Sequence, residues 1–345
     1  MQFDERMTVV LMNPDTQQPP LVSVLTPVYN GEKYLAECIE SVLAQTYQNW
    51  EYCIVNNCST DRTLEIAQRY AEKDKRIRIH NNVEFVGCDP NGNIAFRQIS
   101  PESKYCKVVH ADDWIFPECI TKMVELAEAN PRVAIVGSYG LRNVRVCWDG
   151  LPHTSSVISG RDICRTTLLG GPYVFGSPTS MLIRSDEVRK RPAFYNEANP
   201  HCDIEACLDI LRDCDYGFVH QVLTFTRDHS QSETTFCSRF GTDYLANFEH
   251  LDKYGRSYLK DDEYNQSVKR CWETYYKFLG AKVFRNRDKG FWKFHKDELG
   301  RLGYSLNWGK VAKAVLAEMI ELAVNPLGTS AKVYKKIADH GQKKG

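Results

Sequence analysis

From residue 21 onward the chain switches repeatedly between two hydrophobic periods. Leu21-Val22-Ser23-Val24-Leu25-Thr26 is a short apolar, β-branched run that stops at Pro27, which predicts a buried strand over 21–26. Asn30-Gly31 predicts a turn. Residues 32–45 then set Tyr34, Leu35, Cys38, Ile39, Val42 and Leu43 at helical spacing, with Glu32, Lys33, Glu37 and Glu40 between them. The unit recurs, with a strand over 51–55, a polar loop over 56–60 and a helix over 61–70. Residues 77–80, 104–109 and 133–137 read as further strands and 117–129 as a helix. Strands alternating with helices predict an α/β fold, with a mostly parallel sheet covered by helices on both faces.

Beyond about residue 238 the pattern changes to aromatic, Lys/Arg-rich helical segments such as 267–284 and 308–324. This divides the chain into a tail over 1–20, an α/β domain over 21–236 and a basic, mainly helical region over 237–345. The 44 Lys+Arg balance 44 Asp+Glu, which argues against a nucleic-acid partner. The balance hides an asymmetry, because residues 251–345 hold 20 basic and 11 acidic side chains. No apolar run reaches 18 residues and the first twenty residues do not resemble a secretory signal, so the expected location is the cytoplasm. Thirteen cysteines, an odd number without any Cys-x-x-Cys, read as reduced, mostly buried thiols.

In open sheets of this kind ligands sit beyond the carboxyl ends of the strands. Three such loops are polar. In Lys107–Trp114 the doublet Asp112-Asp113 follows an apolar strand, and two adjacent carboxylates call for a compensating cation, or for one of them to cap the next helix. Asn56–Asp61 carries side chains able to read a nucleobase edge or to cap a helix. Asp203 and Glu205 stand at a helix start, where the macrodipole favours a carboxylate and where a general base could also sit. Arg227 and His229 follow a further apolar segment, 222–226. Neither Gly-x-Ser-x-Gly nor Gly-x-Gly-x-x-Gly occurs at the first turn, so a hydrolase elbow and a dinucleotide loop have no support.

Taken in order, these segments resemble the family 2 glycosyltransferases, inverting enzymes of the GT-A fold that use nucleotide sugars. The likeness runs over about 21–235. It rests on Val22–Asn30 with Tyr34-Leu35, on Ser41–Tyr47, on Val55–Thr63 against the family's Asp-Asp-Gly-Ser-Thr-Asp-x-Thr loop, and on Ala111-Asp112-Asp113-Trp114 against its Asp-Ala-Asp-Asp stretch. The resemblance implies a GT-A-type sheet and a donor pocket that includes Pro27, Val28, Tyr29, Asn30, Asn57, Asn93, Ala111, Asp112 and Arg227. It implies a divalent cation, Mn²⁺ or Mg²⁺, at Asp112, Asp113 and His229, and Asp203 as the catalytic base. Gly176–Ser180 resembles the loop that shapes the acceptor side.

Three positions depart from the pattern, one of them Cys202 in place of the family's Glu before the catalytic aspartate. Asn57 stands where the family has the carboxylate that meets the base, and His110 replaces the first carboxylate of the metal motif. An imidazole suits Mn²⁺ better than Mg²⁺, so metal use should lean towards Mn²⁺, or the metal site is weakened.

The expected activity is inverting transfer of a hexose-type sugar from a nucleotide diphosphate, UDP first, to a hydroxyl of a glycan or lipid-linked acceptor. The alternatives are a non-catalytic nucleotide-sugar binder and a sugar nucleotidyltransferase. Trp308, Val311, Ala312, Val315, Leu316 and Met319 form an apolar face beside Lys310, Lys313 and Glu318, which suggests peripheral contact with the inner face of a membrane, or packing on the protein itself or in a homo-oligomer.

Overall fold

The computed structural model describes residues 18–229, 233–283 and 288–324. Residues 1–17 of the expected tail lie outside this set. The chain divides into two compact units with the boundary between Thr235 and Phe236.

The first unit is built on a mixed sheet of strands β1 (Val22–Val28), β2 (Trp50–Asn56), β3 (Ile77–Asn81), β4 (Tyr105–Val108), β5 (Trp114–Ile115), β6 (Val133–Arg142), β7 (Arg145–Cys147), β8 (Val157–Ser159), β9 (Leu182–Arg184) and β10 (Asp215–Thr226). Their order is β3-β2-β1-β4-β9-β6-β10-β5, with β7 beside β6 and β8 beside β10. β3 to β4 are parallel, as is the long pair β6–β10, while short β9 and β5 are inserted antiparallel. The central sheet is mostly parallel, as the alternation predicts.

Alternation of side chains along β1 and β2 explains the two layers. Val22, Val24, Val28, Tyr52 and Ile54 pack with Leu35, Cys38, Ile39 and Val42 of the helix Leu35–Leu43, with Ile66 and Ala67 of Thr63–Lys73, and with Ile120 and Met123 of Cys119–Ala129. Leu25, Cys53 and Val55 alternate with that set, and the helix Cys88–Phe96, with buried Ala95 and Phe96, packs on β1 and β2. The periodicity does not signal this helix, because Asp89-Pro90-Asn91-Gly92 has turn composition. Pro90 is tolerated in the first helical turn, where no amide partner is required.

One boundary differs from expectation. β1 does not stop before Pro27 but runs to Val28, with Pro27 in register with Val55. The Leu25 carbonyl, which accepts from Val109 N–H, points to the β4 side, and so does position 27 two residues on. Pairing with β4 ends at Leu25–Val108, so the N–H that proline lacks falls where the ladder has already finished.

The second unit contains the helices Thr242–Tyr258, Asp261–Val283, Lys289–Arg301 and Trp308–Val324 around Tyr275, Tyr276, Leu279, Phe291, Leu299 and Val311. A Cβ at Gly280 would lie 2.8 Å from the Ala314 side chain, so glycine permits the close crossing of Asp261–Val283 on Trp308–Val324. His295 is fully buried beside Tyr275, and burial pushes its pKa down to about 4, which keeps it a neutral packing residue.

The apolar face expected on Trp308–Val324 is divided. Val311 and Val315 turn into the core, whereas Trp308, Leu316, Met319 and Ile320 are each more than half exposed. Among the described residues no helix is long and apolar enough to cross a membrane. All thirteen cysteines are free thiols.

Candidate active site

The acidic loop follows β4 directly. A tight turn, Asp113 N–H to His110 carbonyl at 2.9 Å, folds the doublet back on itself. The ligand atoms of His110, Asp112 and Asp113 lie within 4.8 Å of one another. The two carboxylates have separate surroundings. Asp113 is buried; its Oδ2 accepts from the Thr179 hydroxyl at 2.7 Å and its Oδ1 from the Arg227 N–H at 3.0 Å. Burial, reinforced by the neighbouring charge of Asp112, raises its pKa to about 6. Asp112 is partly exposed, and its Oδ2 is 2.7 Å from His229 Nε2. Asp112 is therefore the carboxylate of the doublet that an incoming ligand can reach.

Arg227 packs against the acidic loop. Its Nε donates to the Asp112 carbonyl at 3.0 Å and its Nη2 to Glu37, while the guanidinium lies over the Tyr34 ring at 4.4 Å. Tyr34 also faces the His229 ring, 5.8 Å between centroids. Neither Tyr34 nor Glu37 announces this role in the sequence, where both read simply as parts of an amphipathic helix.

The strand-end turns of β1 and β2 are stitched together. Asn30 takes a left-handed backbone (φ 49°), donates N–H to the Ser59 hydroxyl and accepts through Oδ1 from Thr60 N–H. Ala111 lies against Gly31, where a Cβ would also strike Val28 at 2.6 Å. Pro27 and Val28 form the end of β1, and Tyr29 is half exposed with its ring 4.7 Å from the exposed Phe85.

Two of the expected donor residues also hold neighbouring segments in place. Asn57 is buried, its amide clamping residue Val86 in both directions (2.8 and 3.0 Å) and accepting from Asn82. Asn93 is likewise buried; its Oδ1 accepts from Tyr195 N–H at 2.7 Å and its Nδ2 donates to the Tyr195 carbonyl and to Glu197. These side chains fix the segments around 86 and 195. Gly92 leaves room for Tyr195, since a Cβ there would meet its ring at 3.2 Å.

The segment held by Asn93 leads into the helix Cys202–Ile210, which begins with Asp203 in its first turn. The Asp203 carboxylate is partly exposed but densely surrounded, with Oδ1 accepting its neighbour's Ile204 N–H at 2.9 Å. Burial raises its pKa above the ordinary carboxylate value, opposed by that N–H and by the imidazoles of His201 and His110. The His110 imidazole is among the groups that oppose the upward shift at both Asp203 and Asp113. Tyr173 and Tyr195 feel the Asp203 charge as well.

Comparison with known proteins agrees with this architecture. The family model described as "Glycosyl transferase family 2" matches residues 23–186. An uncharacterized glycosyltransferase of Haemophilus influenzae is 31% identical over 192 residues, 53% of this chain and 58% of that protein. The putative glycosyltransferase EpsE of Bacillus subtilis is 31% identical over 158 residues, 44% of this chain and 56% of its own length. The chain thus spans under two thirds of these relatives. In fold it resembles S. aureus TarS 1-349 in complex with UDP-GlcNAc, with a TM-score of 0.59 at 16% identity over 82% of this chain and 80% of that one. It also resembles the mannosyltransferase PcManGT from Pyrobaculum calidifontis in complex with GDP-Man and Mn²⁺, with a TM-score of 0.53 at 13% identity over 88% and 87% of the two chains. The order of its motifs and the GT-A-like sheet agree with the family match, in which residues 23–186 are similar to glycosyl transferase family 2.

Proposed function

We propose that the chain is an inverting glycosyltransferase that moves a hexose from a nucleotide diphosphate, UDP first, to a hydroxyl of a glycan or lipid-linked acceptor. The observation that carries this reading is the convergence of the His110, Asp112 and Asp113 ligand atoms within 4.8 Å of one another after β4, with Arg227 held against the same loop. Asp203 then serves as general base, taking the acceptor proton onto its carboxylate as the hydroxyl attacks from the face opposite the leaving group. A single displacement of this kind inverts the anomeric centre. Arg227, fixed over Tyr34, contributes positive charge on the diphosphate side, and Asn30, Tyr29 and the clamped Asn57–Val86 segment form the nucleoside wall.

The donor set around Asp112 fits a divalent cation, because His110, Asp112 and Asp113 converge and a mixed imidazole–carboxylate set suits Mn²⁺. Asp112 with His229 would hold it, with the buried Asp113 behind, and it would neutralise charge growing on the leaving diphosphate. TarS with UDP-GlcNAc and PcManGT with GDP-Man and Mn²⁺ support a nucleotide-sugar donor for this fold.

The test is a panel of UDP-, GDP- and dTDP-sugars followed by thermal shift with Mn²⁺. The matching donor should raise the melting temperature by several degrees once present at about 100 times its Kd, a stabilisation of about 2.7 kcal/mol. Release of UDP then supports a transferase, release of pyrophosphate a nucleotidyltransferase, and binding without turnover a non-catalytic binder.

We also infer peripheral contact of the second unit with an anionic membrane. Trp308, Leu316, Met319 and Ile320 are exposed along one helix, Lys313 is exposed beside them, and five lysines against one aspartate follow in residues 325–345. Replacing Lys310 and Lys313 by Glu should weaken sedimentation with phosphatidylserine vesicles about tenfold or more, at roughly 1 kcal/mol for each basic residue near the surface. Unchanged vesicle binding removes the membrane reading.

A further inference from the structure

β4 carries a lysine where the strand is otherwise buried and uncharged. Lys107 has no exposed surface, and its Nζ donates to the Thr179 carbonyl at 2.7 Å and the Met181 carbonyl at 3.3 Å, with the Cys119 thiol as a further partner. Burying an ammonium that donates to neutral carbonyls is costly even with the Asp113 charge nearby, and an apolar side chain would fill the same space at lower cost. Desolvation accordingly pulls its pKa below that of an ordinary lysine. The position therefore demands an account of what the charged, three-donor head provides.

It anchors the short turn Pro178–Ser180. From that turn the Thr179 hydroxyl accepts the His110 N–H at 3.1 Å and donates to Asp113 Oδ2 at 2.7 Å. On its other flank, the Ser177 and Ser180 hydroxyls approach Thr226 and Thr224 of β10 at 3.3 and 3.4 Å, one strand end before Arg227. The turn is thus fixed from below by Lys107 and touches both the acidic loop and the strand that delivers Arg227.

We propose that Lys107 is a positioning residue: through the 178–181 turn and the Thr179 hydroxyl it sets the acidic loop, so that the acceptor-side turn and the donor-side doublet move as one body. This extends the glycosyltransferase reading above and takes its kinetic consequence from it, whereas the mechanical coupling is independent of it.

The test uses the full chain with Lys107→Met, Thr179→Val and Thr179→Ser, and reads hydrogen exchange of segments 176–181 and 109–114 together with kcat and donor KM for UDP release. Lys107→Met should accelerate exchange in both segments together and lower kcat about 10–100-fold with donor KM changed less than threefold, the pattern of a misplaced catalytic group. Thr179→Val should reproduce the kcat loss, Thr179→Ser should recover it to within about threefold, and the double variant Lys107→Met/Thr179→Val should be no worse than Thr179→Val alone, since both act through one path.

Exchange changes confined to 176–181, or kcat within twofold of the parent for Lys107→Met, would overturn the proposal. Should Lys107→Met fail to fold, Lys107→Gln, which keeps a donor for the Thr179 carbonyl but not the charge or the third donor, is read by the same exchange and kcat criteria. If the parent protein turns over no nucleotide sugar, the enzymatic reading falls and the exchange pattern alone decides the coupling.

Discussion

Asp203→Asn should lower sugar transfer by about 10²–10⁴-fold while leaving donor binding within a few fold, because the loss of a general base is felt in the transition state and not in the nucleotide pocket. The substitution keeps size and retains an acceptor for Ile204 N–H, so the first helical turn survives. Two pH arms sharpen the test. Burial raises the Asp203 pKa, so kcat/KM of the parent should climb with pH through a value above the usual carboxylate range, and the residual activity of the Asn variant should lose that limb. Stability runs the other way. A carboxyl whose folded pKa is raised favours folding when protonated, fully so below its unfolded pKa near 3.9, and that contribution disappears as pH rises through the folded value. At neutral pH Asp203→Asn should therefore melt above the parent, the trade expected where a site holds an ionised group against its surroundings. Transfer within twofold of the parent would remove Asp203 from the chemistry.

The strands that set up this arrangement are legible because β1, β2 and β4 are central, so their sequences are short apolar runs closed by polar loops. β5 and β9 span two and three residues and owe their existence to partners elsewhere in the chain, which no local period records. The same division holds in the site. Asp112, Asp203 and Arg227 stand at strand ends or a helix start, where position alone marks them. Thr179 meets Asp113 across 66 positions, and the glutamate and tyrosine that fix Arg227 read as ordinary members of a helix. Asn57 and Asn93 show the converse limit. Their chemistry suits a ligand, and neighbouring backbone groups engage their amides as well, contacts that no local pattern records. Lys107 did leave a trace, a charge inside an apolar strand, but one that says nothing about which carbonyls it serves.

The second large effect is expected at Asp112. Asp113 has both oxygens committed, one to the Thr179 hydroxyl and one to the Arg227 N–H, so the doublet presents outward the charge of Asp112. Asp112→Ala should lower kcat/KM by about 10²–10³-fold, the scale of losing one preorganised electrostatic contact to a developing charge. It should also weaken Mn²⁺ binding in the presence of UDP, read from the free-ion electron paramagnetic resonance signal. Asp112→Asn separates two explanations. Its amide can keep the 2.7 Å contact with His229 but carries no charge, so a variant as poor as Asp112→Ala assigns the effect to the carboxylate charge. Recovery of activity by Asn would instead mean that Asp112 works by orienting His229, and a site without need of that charge would fit a weakened metal centre in which Arg227, already seated over Tyr34, supplies most of the compensation for the diphosphate.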